Sequence, residues 1–599
     1  MKEFLKYTLA TIVGILLLAL IVGIFSLLTL TGLASMSSVS EPILSNSVMV
    51  IDLDGTLDER TVDNPFAEFM GSGSESLGLN DLLTSIKSAK ENDDIKGIYL
   101  KVGGFAGGTP AMLQELRDAL VDFKKDGKFI VSYADNYGQG AYYLCSTADS
   151  LLINPEGMVE LAGMSLSTMY YKNLMDKIGV KAQVFKVGTY KSAVEPYILD
   201  DMSEPNREQL TVLSDEIWDE MLDDISKSRK ISKENLDALV DSGLIFKDAN
   251  YFVKNKIVDK LVFSDEISAV ITNMMKGDKN EDGNYNETKF ANVANVANNT
   301  PKSMSGDVVA VYYATGEIVQ DESPTSFGSE EMIVGTEVVK DLKKLADDDD
   351  VKAVVLRVNS PGGSAFASEQ IWHQVMNIKA KKPIVVSMGG YAASGGYYIS
   401  CAADWIVAEP TTLTGSIGIF GMFPDASELM NDKLGLKVAT VKTNEFADMG
   451  GYDRPFNEKE SALLQGYINR GYDLFTKRCA DGRGMSQDSI KVIGEGRVWT
   501  GVHAKKLGLV DQLGSLDDAI AVAKKKAKIE ECTVMNYPAQ KSFFEQLMDK
   551  SSESSIAEAQ MNQMKQNLGE FYDIYRAARD LQSKDRIQAA LPYKLKFNL

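Results

Sequence analysis

Histidine is almost missing from this chain, which has two in 599 residues, His373 and His503. Histidine is the usual base for a serine nucleophile. His373 sits inside the helical pattern EQIWHQVMNIKA and His503 in GVHAKK, neither with glycine-rich or catalytic surroundings, so a Ser/His/Asp triad is disfavoured. Cysteine is nearly as scarce. Cys145, Cys401, Cys479 and Cys532 form no CxxC pair and no zinc spacing, which excludes a metal ribbon and leaves buried free thiols as the expectation. Basic charge is outnumbered, 63 Lys and Arg against 84 Asp and Glu, for a net charge of −21. No cluster of cations is there to hold a phosphate backbone, so nucleic acid is not an expected partner. The acidic runs Asp347 to Asp350 and Asp219 to Asp224 have no His or Cys beside them and read as solvated faces. No metal or organic cofactor is implied.

Charge of either sign is missing from Tyr7 to Leu33, YTLATIVGILLLALIVGIFSLLTLTGL. Crossing a bilayer takes about 20 apolar residues, whereas the apolar core of a cleaved signal peptide is about 7 to 15. The segment reads as an N-terminal transmembrane helix. Lys2 and Lys6 precede it, and positive flanks stay cytoplasmic, so the bulk of the chain is expected outside, in the periplasm or exterior.

What the chain does have is itself, twice. VVSMGGYAASGGYYISCAAD (385–404) overlays IVSYADNYGQGAYYLCSTAD (130–149), and VKAVVLRVNSPGGS (351–364) overlays KGIYLKVGGFAGGT (96–109), both at an offset of 255 residues. Within each copy, short β-branched runs alternate with amphipathic stretches, the βα pattern of a sheet wrapped by helices. In the second copy VVAVYYATGEI, VKAVVLRV, PIVVSM, WIVAEP and SIGIFG are expected strands, and GTEVVKDLKKLADD, SAFASEQIWHQVMNIKA and Ser394 to Ala403 expected helices. A polar, Asn-rich stretch near residue 280–305 has the composition of a linker. The expected division is 1–45 anchor, 46–300 first repeat, 301–540 second repeat and 541–599 a helical C-terminal tail.

The chemistry gathers at glycine-rich strand ends. GGYAASGGYYIS sets Ser394 between two glycine pairs after a buried strand and at the start of a helix. There the exposed amides favour both a nucleophile and a developing oxyanion. NSPGGS ends another buried strand, and the amides of Gly363 and Gly395 are the candidate oxyanion pair. With histidine excluded, a lysine can act as base if an apolar, enclosed setting brings its pKa down from about 10.4 towards neutral. Lys191 lies in VFKVGTYKSAVEPY. In the repeat frame Ser394 faces Gln139 and Lys191 faces Phe446, so each copy holds the residue the other lacks. A Ser/Lys reaction must bridge the copies.

These motifs, GYAASGGYYIS, NSPGG, TLTGSIGIFG and VGTYKSAVEPY, together with the duplication and the anchor, resemble the long, two-repeat signal peptide peptidase A family. The resemblance implies a serine endopeptidase with Ser394 as nucleophile, Lys191 as general base, Ser416 orienting the lysine amine, and Gly363 and Gly395 as oxyanion amides. It also implies an α/β fold of tandem Clp protease/crotonase-like spiral domains. The implied substrates are remnant signal peptides and other apolar peptides. The implied setting is a homotetramer in the bacterial inner membrane, single-pass, held to lipid by its N-terminal helix. Two other readings stay open on the residues alone: a crotonase-like acyl-thioester enzyme, and a catalytically silent membrane scaffold.

Overall fold

A computed structural model describes residues 41–61, 76–275, 279–280, 283–299, 306–321, 332–539 and 586–591, with five isolated positions before residue 22. Apart from those positions the expected anchor over Tyr7 to Leu33 lies outside the described residues, as do the expected tail helices. Among the described residues no helix is long and apolar enough to cross a membrane.

Each copy builds a mainly parallel sheet from its β-branched runs. In the first, Ser47–Asp58, Ile95–Gly107, Phe129–Ala134 and Ser150–Ile153 lie side by side, with Asn286–Lys289 and Lys260–Leu261 at the edges. In the second, Val308–Thr315, Val351–Ser360, Ile384–Ala393 and Trp405–Ala408 repeat that order, with Thr533–Tyr537 on the outer side of Val308–Thr315. The central strands are buried on both faces, as continuous runs such as VKAVVLRV require. Helices follow the glycine turns in both copies because each turn ends in a capping hydroxyl. Thr109 accepts from the Met112 amide with Pro110 in the first helical turn, and Ser364 accepts from the Ala367 amide.

The two copies keep the 255-residue offset around the tyrosine pair. Tyr142 donates to the Ile257 carbonyl at 2.9 Å and Tyr397 to the Leu509 carbonyl at 3.0 Å. The preceding strand departs from a gapless overlay. Ile130 donates to the Asp149 carboxylate and Ile384 to that of Asp404, at 2.9 and 3.0 Å, so these strand starts stand 254 residues apart. The second copy takes up the extra residue in a longer strand, which runs through Gly389 and Gly390 to Ala393, where a turn was expected. Glycine is needed there: a Cβ on Gly389 would lie 2.4 Å from Glu59 Oε1, and one on Gly390 2.2 Å from Thr109 Oγ1.

A third, mixed sheet belongs to neither copy alone. Lys181–Lys186 of the first copy runs antiparallel to Phe420–Asp425 of the second, pairing Lys186 with Phe420 and Lys181 with Asp425. Ile587–Ala590 lies between Phe420–Asp425 and Gly362–Ser364, so the described part of the tail is a strand and not a helix. SIGIFG also departs from the single strand expected. Leu413–Gly415 and Phe420–Asp425 are strands, but Ser416 between them has φ 49° and donates its amide to the Arg497 carbonyl at 2.7 Å.

Buried charge ties the copies together as well. Arg357 Nε donates to Glu59 at 2.9 Å and its Nη2 to Glu115 at 2.7 Å, with all three side chains buried and both carboxylates supplied by the first copy.

Candidate active site

Three elements meet at Ser394. The long strand Ile384–Ala393 ends immediately before it, and the helix Gly395–Ser400 begins immediately after. The turn between them gives Ser394 φ 54° and ψ −110°, a conformation that L-residues rarely adopt. Such strain costs about 1–3 kcal/mol and persists only where the surroundings enforce it. The Ser394 amide donates to the Gly415 carbonyl at 2.8 Å. Its own N–H is therefore committed, and any donors to an oxyanion must come from neighbouring residues.

Lys191 arrives from the other copy. The antiparallel pairing of Lys181–Lys186 with Phe420–Asp425 carries the chain to the turn 187–190. There Val187 donates to the Ile419 carbonyl at 3.2 Å and Tyr190 to the Glu495 carbonyl at 2.9 Å. Lys191 Nζ then lies 2.7 Å from Ser394 Oγ, 3.1 Å from Ser416 Oγ and 3.2 Å from the Ser416 carbonyl. All three residues are completely buried. Burial holds the Lys191 ammonium well below the ordinary lysine range, and desolvation is the cause. A neutral amine accepts a proton from a hydroxyl, which an ammonium cannot do.

The enclosure is made of glycines that the sequence reading passed over. A Cβ on Gly496 would sit 2.6 Å from Lys191 Cβ, and one on Gly418 would sit 3.2 Å from Lys191 Cδ. Gly496 also has φ 77°, so alanine there is opposed by space and by conformation together. The signal was present in GEGRVW, a glycine pair next to a strand, but nothing local says which side chain it wraps.

The two glycine turns also meet. A Cβ on Gly362 would fall 2.8 Å from the Gly395 nitrogen, and one on Gly395 would fall 3.1 Å from Gly362 Cα. Gly363 lies next to this contact in the strand Gly362–Ser364. All five residues expected at the site therefore come together. His373 and His503 do not join them; His503 Nδ1 pairs with Glu216.

Comparison with known proteins follows the same division. The model of peptidase family S49 matches residues 122–280 and 377–530, and the Clp protease model matches 327–408. "Protease 4" of Salmonella typhi is 35% identical over 521 residues, covering 84% of this chain and 82% of that protein. "Protease 4" of Haemophilus influenzae is 34% identical, covering 81% and 80%. "Serine protease SPPA, chloroplastic" of Arabidopsis thaliana is 30% identical, covering 76% and 66%.

The chain belongs to peptidase family S49. It is a serine peptidase with two S49 repeats and Clp protease-like α/β domains. The two S49 matches fall one on each copy, and the positions that the repeat sets opposite Ser394 and Lys191 hold Gln139 and Phe446. Gln139 fills the serine position with hydrogen bonds to its own loop: its Oε1 accepts from the Ala162 and Gly163 amides at 3.1 and 3.0 Å, and its Nε2 donates to the Gly163 carbonyl at 3.2 Å. On the lysine side, Phe446 is exposed, in a stretch 434–448 that contains no strand. This S49 peptidase thus brings one serine and one lysine together from opposite halves. The four cysteines are free, three of them buried and Cys532 half-buried.

Proposed function

We propose that this S49 peptidase is a membrane-anchored endopeptidase that cleaves peptide bonds through an acyl-enzyme on Ser394. Lys191 is the general base, Ser416 orients its amine, and the amides of Gly363 and Gly395 hold the oxyanion. The observation that carries the reading is the 2.7 Å contact between the buried Lys191 amine, whose charged form burial disfavours, and Ser394 Oγ. As Oγ adds to the substrate carbonyl, its proton passes to Nζ. The ammonium so formed donates that proton to the departing amine, and the neutral amine then takes a proton from the water that opens the ester. Ser416 Oγ, 3.1 Å from Nζ, fixes the amine against rotation through this cycle.

Remnant signal peptides and other apolar peptides are the substrates we infer. An extended apolar chain suits a cleft whose walls are strand edges, with Ala193, Val194 and Phe420 buried together beside it. The apolar stretch Tyr7 to Leu33 would anchor the chain once across a bacterial inner membrane, with the peptidase on the periplasmic side. The same resemblance of motifs supports a homo-oligomer, with four subunits as the expected number.

The test is hydrolysis of a fluorogenic apolar peptide by the parent, Ser394→Ala and Lys191→Ala, with circular dichroism to confirm the fold. Loss of turnover in both variants supports the reading. Retained turnover in Lys191→Ala moves the base elsewhere, and inertness of the parent towards every peptide and towards a serine-directed fluorophosphonate removes the enzyme reading.

A further inference from the structure

Residues 187–194, which carry Lys191, belong to no strand or helix. A base that meets Ser394 Oγ at 2.7 Å is thus placed by a turn, and the turn has to be fixed from outside. One buried side chain grips it on both sides of the lysine. Gln209, in the helix Glu204–Arg229, is 1% exposed. Its Nε2 donates towards the Tyr190 carbonyl at 3.2 Å and the Ser192 hydroxyl at 3.0 Å, the residues immediately before and after Lys191. Asn206, one turn earlier on the same helix, lies 3.0 Å from that Nε2 and accepts from the Ser192 hydroxyl at 2.9 Å.

The other end of the same amide reaches the second copy. Gln209 Oε1 accepts from the Val498 amide at 3.3 Å. Val498 pairs antiparallel with Gly415, whose carbonyl accepts the Ser394 amide at 2.8 Å. An unbroken path of pairings therefore runs from the flanks of Lys191, through one side chain, to the strand that holds Ser394. The direction of the amide is fixed by its partners. Val498 offers an N–H and Tyr190 a carbonyl, so the flipped amide would face like against like at both ends.

The repeat shows that this amide goes with the lysine. The helices Glu204–Arg229 and Glu458–Arg483 are both 26 residues long, and their capping residues, Ser203 and Asn457, stand 254 positions apart. At that offset Gln209 corresponds to Leu463, which is 53% exposed. The copy without the lysine has no amide at the position that, in the other, is buried against the lysine turn. Burying a glutamine amide is unfavourable unless its hydrogen bonds are made, and an apolar side chain would serve packing alone. What the amide adds is direction.

We infer that Gln209 is a positioning residue for the peptidase reaction: by locking the lysine turn to the strand Val498–Thr500, it sets where Lys191 Nζ stands relative to Ser394 Oγ. The inference rests on the proposed roles of Ser394 and Lys191. Without the amide, Tyr190 and Ser192 lose their shared donor, the turn gains freedom, and the amine is less often within reach of Oγ. Turnover then falls, while substrate affinity, which the strands of the cleft set, is kept. Access to water also favours the ammonium, so the pH at which turnover rises moves upward.

The experiment measures kcat and KM for a fluorogenic apolar peptide across pH, with the full-length parent, Gln209→Met, Glu216→Met and Lys191→Ala in detergent, and urea unfolding of each. Methionine keeps the bulk of glutamine and removes no charge. Lys186, Glu195, Glu208, Glu495 and Arg497, the charged residues bonded to the turn, are all unchanged. Glu216 lies two turns further along the same helix and accepts from Thr500 of the second copy at 2.6 Å, so Glu216→Met weakens the same joint away from the lysine. In Gln209→Met kcat should fall by about 10²-fold, the scale of a misplacement of about 1 Å, with KM within about twofold and the rising limb of the pH profile moved to higher pH. Glu216→Met should lose stability but keep kcat and the limb. If Gln209→Met does not fold, Gln209→Glu carries the same test, since a carboxylate still accepts from the Val498 amide but has no N–H for Tyr190 and Ser192. A kcat equal to that of the parent, a higher KM with kcat intact, or an equal loss in Glu216→Met overturns the positioning role. If one of these results comes while Lys191→Ala is inactive, the proposed dyad stands without Gln209; full turnover in Lys191→Ala removes the dyad and this inference together.

Discussion

Lys191 Nζ and Ser394 Oγ are 2.7 Å apart although 203 positions of chain separate them. The contact exists because the first copy lends a strand to the second, and each copy alone is missing one of the two groups. Ser394→Ala and Lys191→Ala should each lower kcat by at least about 10³-fold, the scale set by losing a nucleophile or its base. Their effects should not multiply in the double variant, because the two residues act as one unit. Lys191→Arg should not rescue turnover, since a guanidinium stays charged at any working pH.

The same burial predicts a pH signature. In the proposed mechanism Lys191 must be neutral to accept the Ser394 proton, and its pKa lies well below the ordinary lysine value because burial disfavours the ammonium. Turnover should therefore rise with pH through the depressed pKa and level off above it. The sign for stability is the same. Between the folded pKa and the unfolded one, the unfolded chain binds the extra proton, so the Lys191 contribution to stability increases by about 1.4 kcal/mol per pH unit. Below that window the buried lysine destabilises the fold. Lys191→Met should thus raise the melting temperature at neutral pH, with the gain shrinking as pH rises. A gain that does not depend on pH would mean that Lys191 is not neutral in the folded protein.

Ser416 offers a smaller effect. Ser416→Ala removes the 3.1 Å hydroxyl contact to Nζ and leaves the 3.2 Å carbonyl contact and the Ser394 contact in place. One hydrogen bond is worth about 1 kcal/mol, so kcat should fall by about fivefold with KM little changed. Ser416→Thr should recover part of it. A rise in KM with kcat intact would assign Ser416 to substrate binding.

Much of this arrangement is legible in the sequence, and the rest is hidden for identifiable reasons. VKAVVLRV and the helix after it announce themselves because β-branched density and amphipathic spacing are local properties. The duplication points from Ser394 to Gln139 and from Lys191 to Phe446, and so to a site shared between copies. It could not reveal that Lys181–Lys186 crosses to pair with Phe420–Asp425, since strand pairing over that distance leaves no local trace. The run through GGYAA reads as a turn because of its glycines. It is strand because those glycines let Glu59 and Thr109 of the other copy approach. Arg357 looks like one more surface cation at the end of an apolar run until Glu59 and Glu115 are seen buried against it. The tail strand Ile587–Ala590 is only four residues long, too short for any periodicity to announce it.

Gly496 tests whether the lysine enclosure matters separately from the lysine. Gly496→Ala forces a methyl to within 2.6 Å of Lys191 Cβ at a φ of 77°. The left-handed conformation alone costs about 1–2 kcal/mol, and the clash displaces Lys191 from Ser394. Turnover should fall by more than tenfold while a fluorophosphonate still labels Ser394 slowly, because the serine itself is untouched. Full activity in this variant would mean that the enclosure yields without moving the amine.

The joint between copies should be separable from the chemistry. Arg357 is buried with Glu59 and Glu115, and burial raises the Glu59 carboxyl above its ordinary value even with the guanidinium beside it. Arg357→Met fills similar volume but strands two carboxylates in the interior, and breaking a buried pair in this way costs about 3–5 kcal/mol. The loss is greatest at neutral pH, where both carboxylates would have to stay ionised or take up protons. It should lessen as pH falls and they are protonated in the unfolded chain too. Replacing all three residues, Arg357→Met with Glu59→Gln and Glu115→Gln, should restore part of the stability, because no charge is then left without a partner. Urea unfolding of the parent, Arg357→Met and the triple variant at pH 7.5 and pH 5 measures this directly. If Arg357→Met is as stable as the parent at both values, the network is not what holds the first copy against the second, and the joint rests on the paired strands Lys181–Lys186 and Phe420–Asp425 and on other contacts between the copies, such as Thr411 to Gln114 and Thr500 to Glu216.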